Sequence, residues 1–492
     1  MTRLVHGNDG LEPTEGPGDR MGQMGAEALG DGHRRCRPTV PEASGRDPPS
    51  AHGSDPPVAL LSSGTVTRIG IIGLGYVGLP LAVAFAEAGD DVLGVDLDPR
   101  KAAAIGEGRS YIEDVSSESL AAVTASGNLR ASTTPEGLRD REAILICLPT
   151  PVDEHRNPDL RPVLAGAETA AAHIAPGALL VLESTTYPGT TREEIAPILE
   201  RHGARIGSDV FLAFSPERVD PGNEHYGIRN TPKIVGGMTP ECTHRAAALY
   251  ATICDTVKVV SSPESAEMTK IVENTFRAVN IALVNEMAIL GDRMGIDIWE
   301  TIDAASTKPF GFMPFWPGPG LGGHCIPVDP FYLTWRAKAY DLDTEFVELA
   351  GRINANMPRY AVGRIARALN EVSKPVKGSR ILLLGMAYKG NVGDLRESPS
   401  LKLVELLRED GALVTYHDPH VPHVNGLDMD SVELTPEALA AADAVVIATH
   451  HRAVDIRAVV AHARLVVDLR NAVRQTLNGS PSGAAPPNVT VL

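Results

Sequence analysis

The sequence predicts an α/β protein in which two Rossmann-like, doubly wound domains are joined by a central helical domain. Short apolar strands alternate with helical stretches in two blocks, one starting near Val66 and the other at Arg380. Such alternation is typical of a parallel sheet covered by helices. The block between them has helical patterns and no strand pattern. The predicted order of layers is therefore α/β, α, α/β.

Changes in composition along the 492 residues predict the domain boundaries. The first 66 residues are rich in Gly, Pro, Asp, Arg and Ser and have no apolar period, so we expect a disordered tail. The last residues are again rich in Pro, Gly and Ser, and we expect them to be loose. The predicted ranges are a tail at 1–66, the first α/β domain at 67–262, the helical domain at 263–376, the second α/β domain at 377–475 and a loose C-terminal tail at 476–492.

The first α/β block is predicted to open with a strand at 66–72, a glycine-rich turn and a helix at 80–89. Aliphatic runs bounded by polar or Gly/Pro-rich segments predict the further strands. In the second block the same reasoning predicts a strand at 380–385 and a helix at 400–409. The remaining predicted strands lie at 91–95, 143–147, 179–182, 210–214, 257–260, 413–417, 444–448 and 465–468.

The central block is predicted to begin with one long helix. Ser262 and Pro263 form a good N-cap and first-turn pair. We expect this helix at about 263–290, further helices to about 306, and a Pro/Gly-rich loop from 308 to 330, after which helices resume at 345–371. The residues that recur at helical spacing in the long helix are Met268, Ile271, Val272, Thr275, Val279 and Leu283.

Charge and cysteine content exclude several classes of protein. The net charge of −17 argues against nucleic-acid or membrane binding, so an anionic ligand needs local Lys and Arg. The five cysteines are scattered without a CxxC pair, which fits reduced thiols in the cytoplasm.

Residues 69–86 are uncharged and long enough to mimic a membrane span. Their spaced glycines and Pro80 favour a strand, turn and helix instead.

The turn Gly73-Leu-Gly75-Tyr76-Val77-Gly78 has the pattern of a dinucleotide-binding site. The first glycine permits the tight turn, the second lets the backbone approach a pyrophosphate, and the third allows helix and strand to pack closely. Asp96 ends the next predicted strand, where a carboxylate accepts hydrogen bonds from ribose hydroxyls. This favours NAD over NADP, although Arg100 and Lys101 lie nearby. The alternative is a purely structural glycine turn. The cofactor site is predicted to include Gly73, Gly75, Tyr76, Val77, Gly78, Asp96 and Lys101.

A single cysteine, Cys325, lies in a loop with two glycines and is followed by Asp329. A nicotinamide cofactor alone oxidises an alcohol to a carbonyl, whereas an added thiol holds the carbonyl as a thiohemiacetal. A second oxidation then gives a thioester, and water releases an acid. The dinucleotide-type turn and Cys325 together predict a dehydrogenase that converts a primary alcohol to a carboxylate, with Asp329 as a base. The alternative is a small buried hydrophobic residue.

Other polar residues are weaker candidates. Lys270 and Asn274 are four apart and project from one face of the long helix, where they can polarise an oxygen or form a solvated surface. Glu217 follows a predicted strand and by itself indicates little. Residues His417, His420 and His423 lie in a Pro-broken turn, so no rigid element fixes them as metal ligands, and we expect no metal.

Together these residues make the chain similar to the UDP-glucose/GDP-mannose dehydrogenase family from about 67 to 475. The resemblance rests on specific segments. Within the family, Thr307-Lys-Pro-Phe-Gly-Phe312 and the Cys325 segment are most similar to members that oxidise UDP-N-acetylglucosamine. The shared segments are 73–80, Leu148-Pro-Thr-Pro151, Glu183-Ser-Thr-Thr-Tyr-Pro-Gly189, 266–274, Gly322-Gly-His-Cys325 and Arg396-Glu-Ser398.

The resemblance implies a role for each matched residue. Cys325 would be the nucleophile, Lys270 and Asn274 would stabilise the oxyanion, and Asp329 would be the base. Thr185 would position water and Glu217 would assist thioester hydrolysis. The residues implied to contact NAD are Thr150, Ser184 and Arg396. In one arrangement Arg396 comes from a partner subunit. The residues implied to bind UDP are Tyr388, Lys389 and Arg470.

The resemblance further implies an NAD-dependent enzyme that oxidises C6 of UDP-N-acetylglucosamine to the uronic acid for surface polysaccharide. A homodimer or higher homo-oligomer is expected. The alternatives are the same chemistry on UDP-N-acetylmannosamine, UDP-N-acetylgalactosamine or UDP-glucose, a single-step hydroxyacid dehydrogenase, and an NAD-sensing protein without activity. The hydroxyacid alternative leaves Cys325 and the third domain unexplained.

Overall fold

The computed structural model describes residues 67–492 apart from 154–156, 221, 224, 324 and 325. The disordered tail predicted at 1–66 and the nucleophile predicted at Cys325 therefore lie outside the described residues.

The first domain is an eight-stranded sheet with the order β3-β2-β1-β4-β5-β6-β7-β8. All neighbouring strands are parallel except β6 and β7, which are antiparallel. The strands are β1 (Arg68–Ile72), β2 (Asp91–Val95), β3 (Leu129–Ser132), β4 (Ala143–Ile146), β5 (Leu179–Leu182), β6 (Phe211–Phe214), β7 (Lys233–Gly237) and β8 (Val257–Val259). The helices are α1 (Gly78–Glu87), α2 (Pro99–Gly106), α3 (Ser117–Ala125), α4 (Arg161–His173), α5 (Ala196–Arg201) and α6 (Pro240–Tyr250).

The chain leaves β1 towards β3 and then crosses to β4 on the other side of β1. The strand order therefore reverses between β1 and β4. At such a point the loops after the two strands diverge and leave a crevice at the carboxyl edge of the sheet, where ligands of this fold class bind. Apolar side chains pack on both faces of the sheet in two separate clusters. The sheet that carries the crevice is therefore packed on both faces.

The central domain contains α7 (Pro263–Met294), α8 (Ile298–Ser306), α9 (Asp329–Ala337) and α10 (Glu345–Glu371). Ser262 caps α7, since its side chain accepts a hydrogen bond from the Ser265 amide, and Gly295 ends it with φ of 69°. The helix is thus longer than the predicted 263–290. The predicted loop also ends earlier, because Pro330 is compatible with the first turn of α9.

The second α/β domain is a parallel five-stranded sheet with the order β10-β9-β13-β14-β15. A separate pair, β11 and β12, is antiparallel. The strands are β9 (Arg380–Leu384), β10 (Leu413–His417), β11 (His423–Val424), β12 (Met429–Asp430), β13 (Ala444–Ile447), β14 (Val466–Asp468) and β15 (Val489–Val491). The helices are α11 (Pro399–Glu409), α12 (Pro436–Ala441), α13 (Ile456–His462) and α14 (Ala472–Asn478).

The C-terminal segment differs from the loose tail predicted for 476–492. β15 pairs with β14 and completes the second sheet. The central domain also holds it: Trp299 Nε1 donates to the Leu492 carbonyl at 2.8 Å, and an Arg364 amino group donates to the Val491 carbonyl at 3.0 Å. Composition could not reveal this, because the strand has three residues and its two side-chain partners in the central domain lie more than a hundred residues away in the chain.

Residues 69–86 form β1, the glycine turn and most of α1, as the spaced glycines predict. Among the described residues, none of the helices has both the length and the apolar character needed to cross a membrane.

Candidate active site

A cleft of about 1290 Å³ opens at the carboxyl edge of the first sheet. Its walls come from the loops after the strands, from α7 and from the loop after β9. It brings together most of the site residues predicted from the sequence. Those that line it are Gly73, Gly75, Tyr76, Val77, Asp96, Lys101, Thr150, Ser184, Thr185, Glu217, Lys270, Asn274, Tyr388, Lys389 and Arg396.

The glycine turn between β1 and α1 has the geometry of a dinucleotide site. Gly73 has φ of 96°, which favours glycine, and its amide donates to the Val95 carbonyl at 2.8 Å. A Cβ at Gly78 would lie 1.8 Å from the Gly73 carbonyl oxygen, so α1 packs directly on the turn. A Cβ at Gly75 would meet no atom within 4 Å, so this glycine leaves backbone open to the cleft. The turn therefore fits a pyrophosphate at the N-terminus of α1.

Asp96 follows β2 and lies beside the turn. One carboxylate oxygen accepts from the Leu74 amide at 2.9 Å and from Lys101 Nζ at 2.8 Å. Burial acts to raise the pKa of Asp96, but these bonds and the Asp98 amide outweigh it and hold the pKa below its ordinary value. An ionised carboxylate here suits ribose hydroxyls and repels a 2′-phosphate. Arg100 does not approach it, since its guanidinium pairs with Asp98 at 2.7 Å. The site fits NAD.

Buried hydrogen bonds fix the loops after β4 and β5, which carry the predicted site residues Thr150, Ser184 and Thr185. Ser184 Oγ accepts from the Leu148 amide at 2.9 Å, which links the ends of β4 and β5. Buried Tyr332 donates to the carbonyl of Thr150 at 3.0 Å. The loop after Thr185 is anchored by Glu267 of α7, whose carboxylate accepts from the Gly189 and Thr191 amides at 2.6 and 2.8 Å. Sequence reasoning did not identify Glu267 as part of this support.

Lys270 and Asn274 of α7 line the cleft, and Asp329, the first residue of α9, contacts Asn274 without being part of the lining. Asn274 Nδ2 donates to Asp329 Oδ2 at 2.5 Å, and all three side chains are buried. Burial raises the pKa of Asp329 to about 6, although the charge of Lys270 and the bond from Asn274 oppose this rise. A carboxyl group with such a pKa can exchange a proton near neutral pH. The spacing of Lys270 and Asn274 in the sequence thus predicted a real cluster, and Asp329 joins it.

We predict that Asp329→Asn stabilises the protein at high pH. The pKa of Asp329 is about 6 in the folded state, above the value of about 3.9 expected in an unfolded chain, so its contribution to stability is greatest at low pH and is lost as the pH rises through 6. The variant should match the parent at pH 4 and exceed it by about 2 kcal/mol at pH 8. Denaturant unfolding at both pH values measures this. An equal difference at both would contradict the raised pKa.

Glu217 lies in the loop after β6 and is held by two lysines. Its carboxylate accepts from the Val219 amide at 2.7 Å and lies 3.4 Å from Nζ of the buried Lys233. Lys270 Nζ donates to the main-chain carbonyl of Glu217 at 2.6 Å. Lys233 also binds the buried carboxylate of Glu183 at 2.8 Å. Sequence reasoning missed Lys233 and Glu183 as members of this network. The available signal was a lysine and a glutamate placed directly beside apolar strand runs.

The second α/β domain closes the cleft through the loop after β9. Lys389 Nζ donates to Asp220 of the first domain at 2.8 Å. Arg396 stacks over the ring of Tyr76 at 4.5 Å and pairs with Asp394 at 2.6 Å. Arg396 thus lines the cleft of its own chain.

The loop that carries Cys325 begins against this second domain. The Gly323 amide donates to the Arg396 carbonyl at 2.9 Å. A Cβ at Gly322 or Gly323 would collide with Tyr388, at 2.5 and 2.8 Å, so the glycine pair lets Tyr388 pack on the loop. Gly322, Gly323 and Ile326, the described residues near Cys325, all line the cleft.

One residue that was predicted to bind UDP, Arg470, is placed outside the cleft by the structure. Its Nε donates to the Ala448 carbonyl at 2.9 Å, and its guanidinium lies against Gly318. The histidines have non-metal partners. His417 bonds the Val432 carbonyl and His423 bonds Asp430, both at 2.8 Å. Across the described part of the chain no group of three potential metal-binding side chains occurs.

Comparison with known proteins assigns each domain. The NAD-binding domain of the UDP-glucose/GDP-mannose dehydrogenase family matches residues 67–254, its central domain matches 264–356, and its UDP-binding domain matches 382–475.

The chain belongs to the UDP-glucose/GDP-mannose dehydrogenase family. It is an NAD-dependent nucleotide-sugar dehydrogenase, and the cleft at the edge of the first sheet contains its predicted cofactor site. The family assignment and the α/β architecture predicted from the sequence are confirmed.

Individual relatives of this dehydrogenase differ in their named substrates. A UDP-N-acetyl-D-glucosamine 6-dehydrogenase of Pseudomonas aeruginosa is 36% identical over 78% of this chain and 90% of its own. A UDP-N-acetyl-D-mannosamine dehydrogenase of Pyrococcus horikoshii is 37% identical over 83% and 96%. The solved structure of the UDP-D-ManNAc dehydrogenase of Pyrococcus horikoshii superposes with a TM-score of 0.77 at 32% identity, covering 86% of this chain and 98% of that one.

Proposed function

We propose that this dehydrogenase oxidises the C6 alcohol of UDP-N-acetylglucosamine to the uronic acid, with two NAD and one water consumed per sugar. The observation that carries the proposal is the buried cluster of Lys270, Asn274 and Asp329. Its members Lys270 and Asn274 line the same cleft as the dinucleotide turn. The Cys325 segment supports the choice of sugar by its resemblance to enzymes of that specificity.

NAD, when bound, accepts the hydride in each of the two oxidations. The chain's own residues handle protons and oxygen. Asp329, with a pKa of about 6, takes the proton of the alcohol. Lys270 and Asn274 stabilise the negative charge that develops on the same oxygen. Cys325 adds to the carbonyl carbon of the aldehyde and keeps it bound as a thiohemiacetal, which the second oxidation converts to a thioester.

Hydrolysis of the thioester requires a water molecule and a group that takes its proton. Thr185 and Glu217 both line the cleft and are proposed for these roles. Burial acts to raise the pKa of Glu217, but Lys233, the Val219 amide and Lys270 hold it below the ordinary value. An ionised carboxylate at this position can accept the proton as water attacks the thioester, after which Cys325 leaves as the thiolate.

The proposed substrate is tested by a panel of UDP-N-acetylglucosamine, UDP-N-acetylmannosamine, UDP-N-acetylgalactosamine, UDP-glucose and GDP-mannose. We expect the highest kcat/KM with UDP-N-acetylglucosamine, and two NADH for each sugar converted. Product mass should show a gain of one oxygen and a loss of two hydrogens. A faster reaction with another epimer would change the assigned sugar. One NADH per sugar with a carbonyl product would overturn the two-step oxidation.

We also propose that the chain forms a homodimer in the cytoplasm and supplies uronic acid units for surface polysaccharide. One face of the 32-residue helix α7 exposes a continuous apolar stripe, which a second copy of the same stripe can cover. Sedimentation of the purified chain should give twice the monomer mass, and a monomer would overturn this part. The stripe consists of Met268, Val272, Phe276, Leu283, Met287, Leu290 and Met294.

A further inference from the structure

The unusual group near the cleft is Lys233, a lysine whose side chain is only 6% exposed. It begins β7, and its ammonium lies 2.8 Å from Glu183 at the end of β5 and 3.4 Å from Glu217 in the loop after β6. Lys233 itself does not line the cleft, whereas Glu217 does. The lysine can therefore affect the reaction only through the carboxylates that it contacts, Glu183 and Glu217, which both line the cleft.

A buried ammonium is costly unless its charge is paired and its protons are bonded. Glu183 provides one partner and is itself bonded by Tyr250, whose ring lies 5.0 Å from the ammonium. This pair alone would satisfy the charge of Lys233. The contact to Glu217 is additional, and it points towards the cleft.

We infer that Lys233 is a positioning residue for the hydrolysis step, because its ammonium fixes the carboxylate of Glu217 on the cleft wall. The inference rests on the proposed function, in which Glu217 accepts the proton of water. Two lysines bind different parts of Glu217. Lys270 donates to its main-chain carbonyl, and Lys233 contacts its carboxylate. Val219 and Arg218 amides fix the other carboxylate oxygen at 2.7 and 2.8 Å.

The charges around Glu217 agree with this assignment. After burial, which opposes ionisation, Lys233 has the largest influence on the pKa of Glu217 and acts to lower it. Lys270 acts in the same direction but follows Lys233. Glu183 is the opposing negative charge in the network. The remaining titratable groups packed against the network are Cys147, Tyr250 and Cys254.

The test compares Glu183→Gln with the double variant Lys233→Met/Glu183→Gln. The double variant removes the cation together with its structural partner, so no unpaired charge of that pair remains buried. The single variant keeps Lys233 beside Glu217 and serves as the matched control. Lys233→Arg restores a cation and should rescue the effect. Thermal melting of all variants confirms that they are folded.

Two measurements are made on the full chain. Infrared titration gives the pKa of Glu217, assigned by the carboxyl band that Glu217→Gln lacks. Turnover of UDP-N-acetylglucosamine with NAD gives the pH profile of acid release. In the double variant we expect the pKa of Glu217 to rise by about one unit or more, and the acidic limb of the pH profile of acid release to move to higher pH by the same amount. The KM values should change little. In the control, which loses the negative charge of Glu183 but keeps Lys233, the pKa of Glu217 should not rise.

The experiment distinguishes a wrong role for Lys233 from a wrong role for Glu217. An unchanged pKa of Glu217 in the double variant would overturn the role of Lys233. A raised pKa with an unchanged pH profile of acid release would instead show that Glu217 takes no part in hydrolysis, which overturns its role in the proposed function.

Discussion

Cys325→Ser is expected to abolish formation of the acid while the protein remains folded. A thiolate is the stronger nucleophile near neutral pH, whereas a serine hydroxyl stays protonated there and is a weak one. The first oxidation does not need the sulfur, so a slow or sub-stoichiometric NADH signal should survive. NADH and product mass are followed together after mixing the variant with UDP-N-acetylglucosamine and NAD.

Cys147→Ser is the matched control for this prediction. Cys147 lines the cleft, but burial raises the pKa of its thiol well above the ordinary value, so it is a poor source of thiolate. The control should still give two NADH and one acid per sugar. A near-normal yield of acid from Cys325→Ser would return Cys325 to the role of a packed loop residue.

Gly78→Ala is expected to lose both stability and NAD binding. The added Cβ would lie 1.8 Å from the Gly73 carbonyl oxygen, a main-chain atom that cannot rotate away. Either α1 moves off β1 or the turn changes shape, and both spoil the approach of a pyrophosphate. We expect a loss of stability of about 2 kcal/mol or more, as for other overpacked sites, and NAD affinity reduced at least about tenfold.

Gly75→Ala separates the two effects. Its Cβ would meet no protein atom within 4 Å, so the fold should tolerate it, but the methyl group stands where the backbone faces the cleft. Melting temperature and NAD titration by calorimetry are compared for both variants. A Gly75→Ala protein with unaltered NAD affinity, or a Gly78→Ala protein with unaltered stability, would contradict the roles given to these glycines.

The parts of the fold that sequence reasoning located well are those with strong local signals. Three strands, at 91–95, 179–182 and 413–417, occur at the predicted residues, because apolar runs there are bounded by turn-forming residues. The missed strands lack such signals. β3 contains only one buried residue, and β7 begins with a lysine and ends in two glycines, so neither has the pattern of a buried strand.

In the candidate site, too, the residues with a local sequence signal were predictable, and those brought together by tertiary structure were not. Lys270 and Asn274 were predictable together because helical spacing places them on one face. The contact between Lys233 and Glu183 joins residues fifty positions apart, and only the pairing order of the strands brings them together. Arg470 was assigned by resemblance, and packing against Gly318 places it outside the cleft. Long-range placement of this kind depends on tertiary structure that a single sequence does not reveal.

The pairing of β15 bears on how this protein avoids aggregating. Without residues 489–491, the backbone groups of β14 would form a bare sheet edge, which is a template for pairing with another chain. The same loss would deprive the Trp299 indole and the Arg364 guanidinium of acceptors from these last residues. The final strand thus protects an edge and fastens the second α/β domain to the helices at once. An affinity tag that pulls on it would weaken both functions, and a tag at the opposite end of the chain is the safer choice.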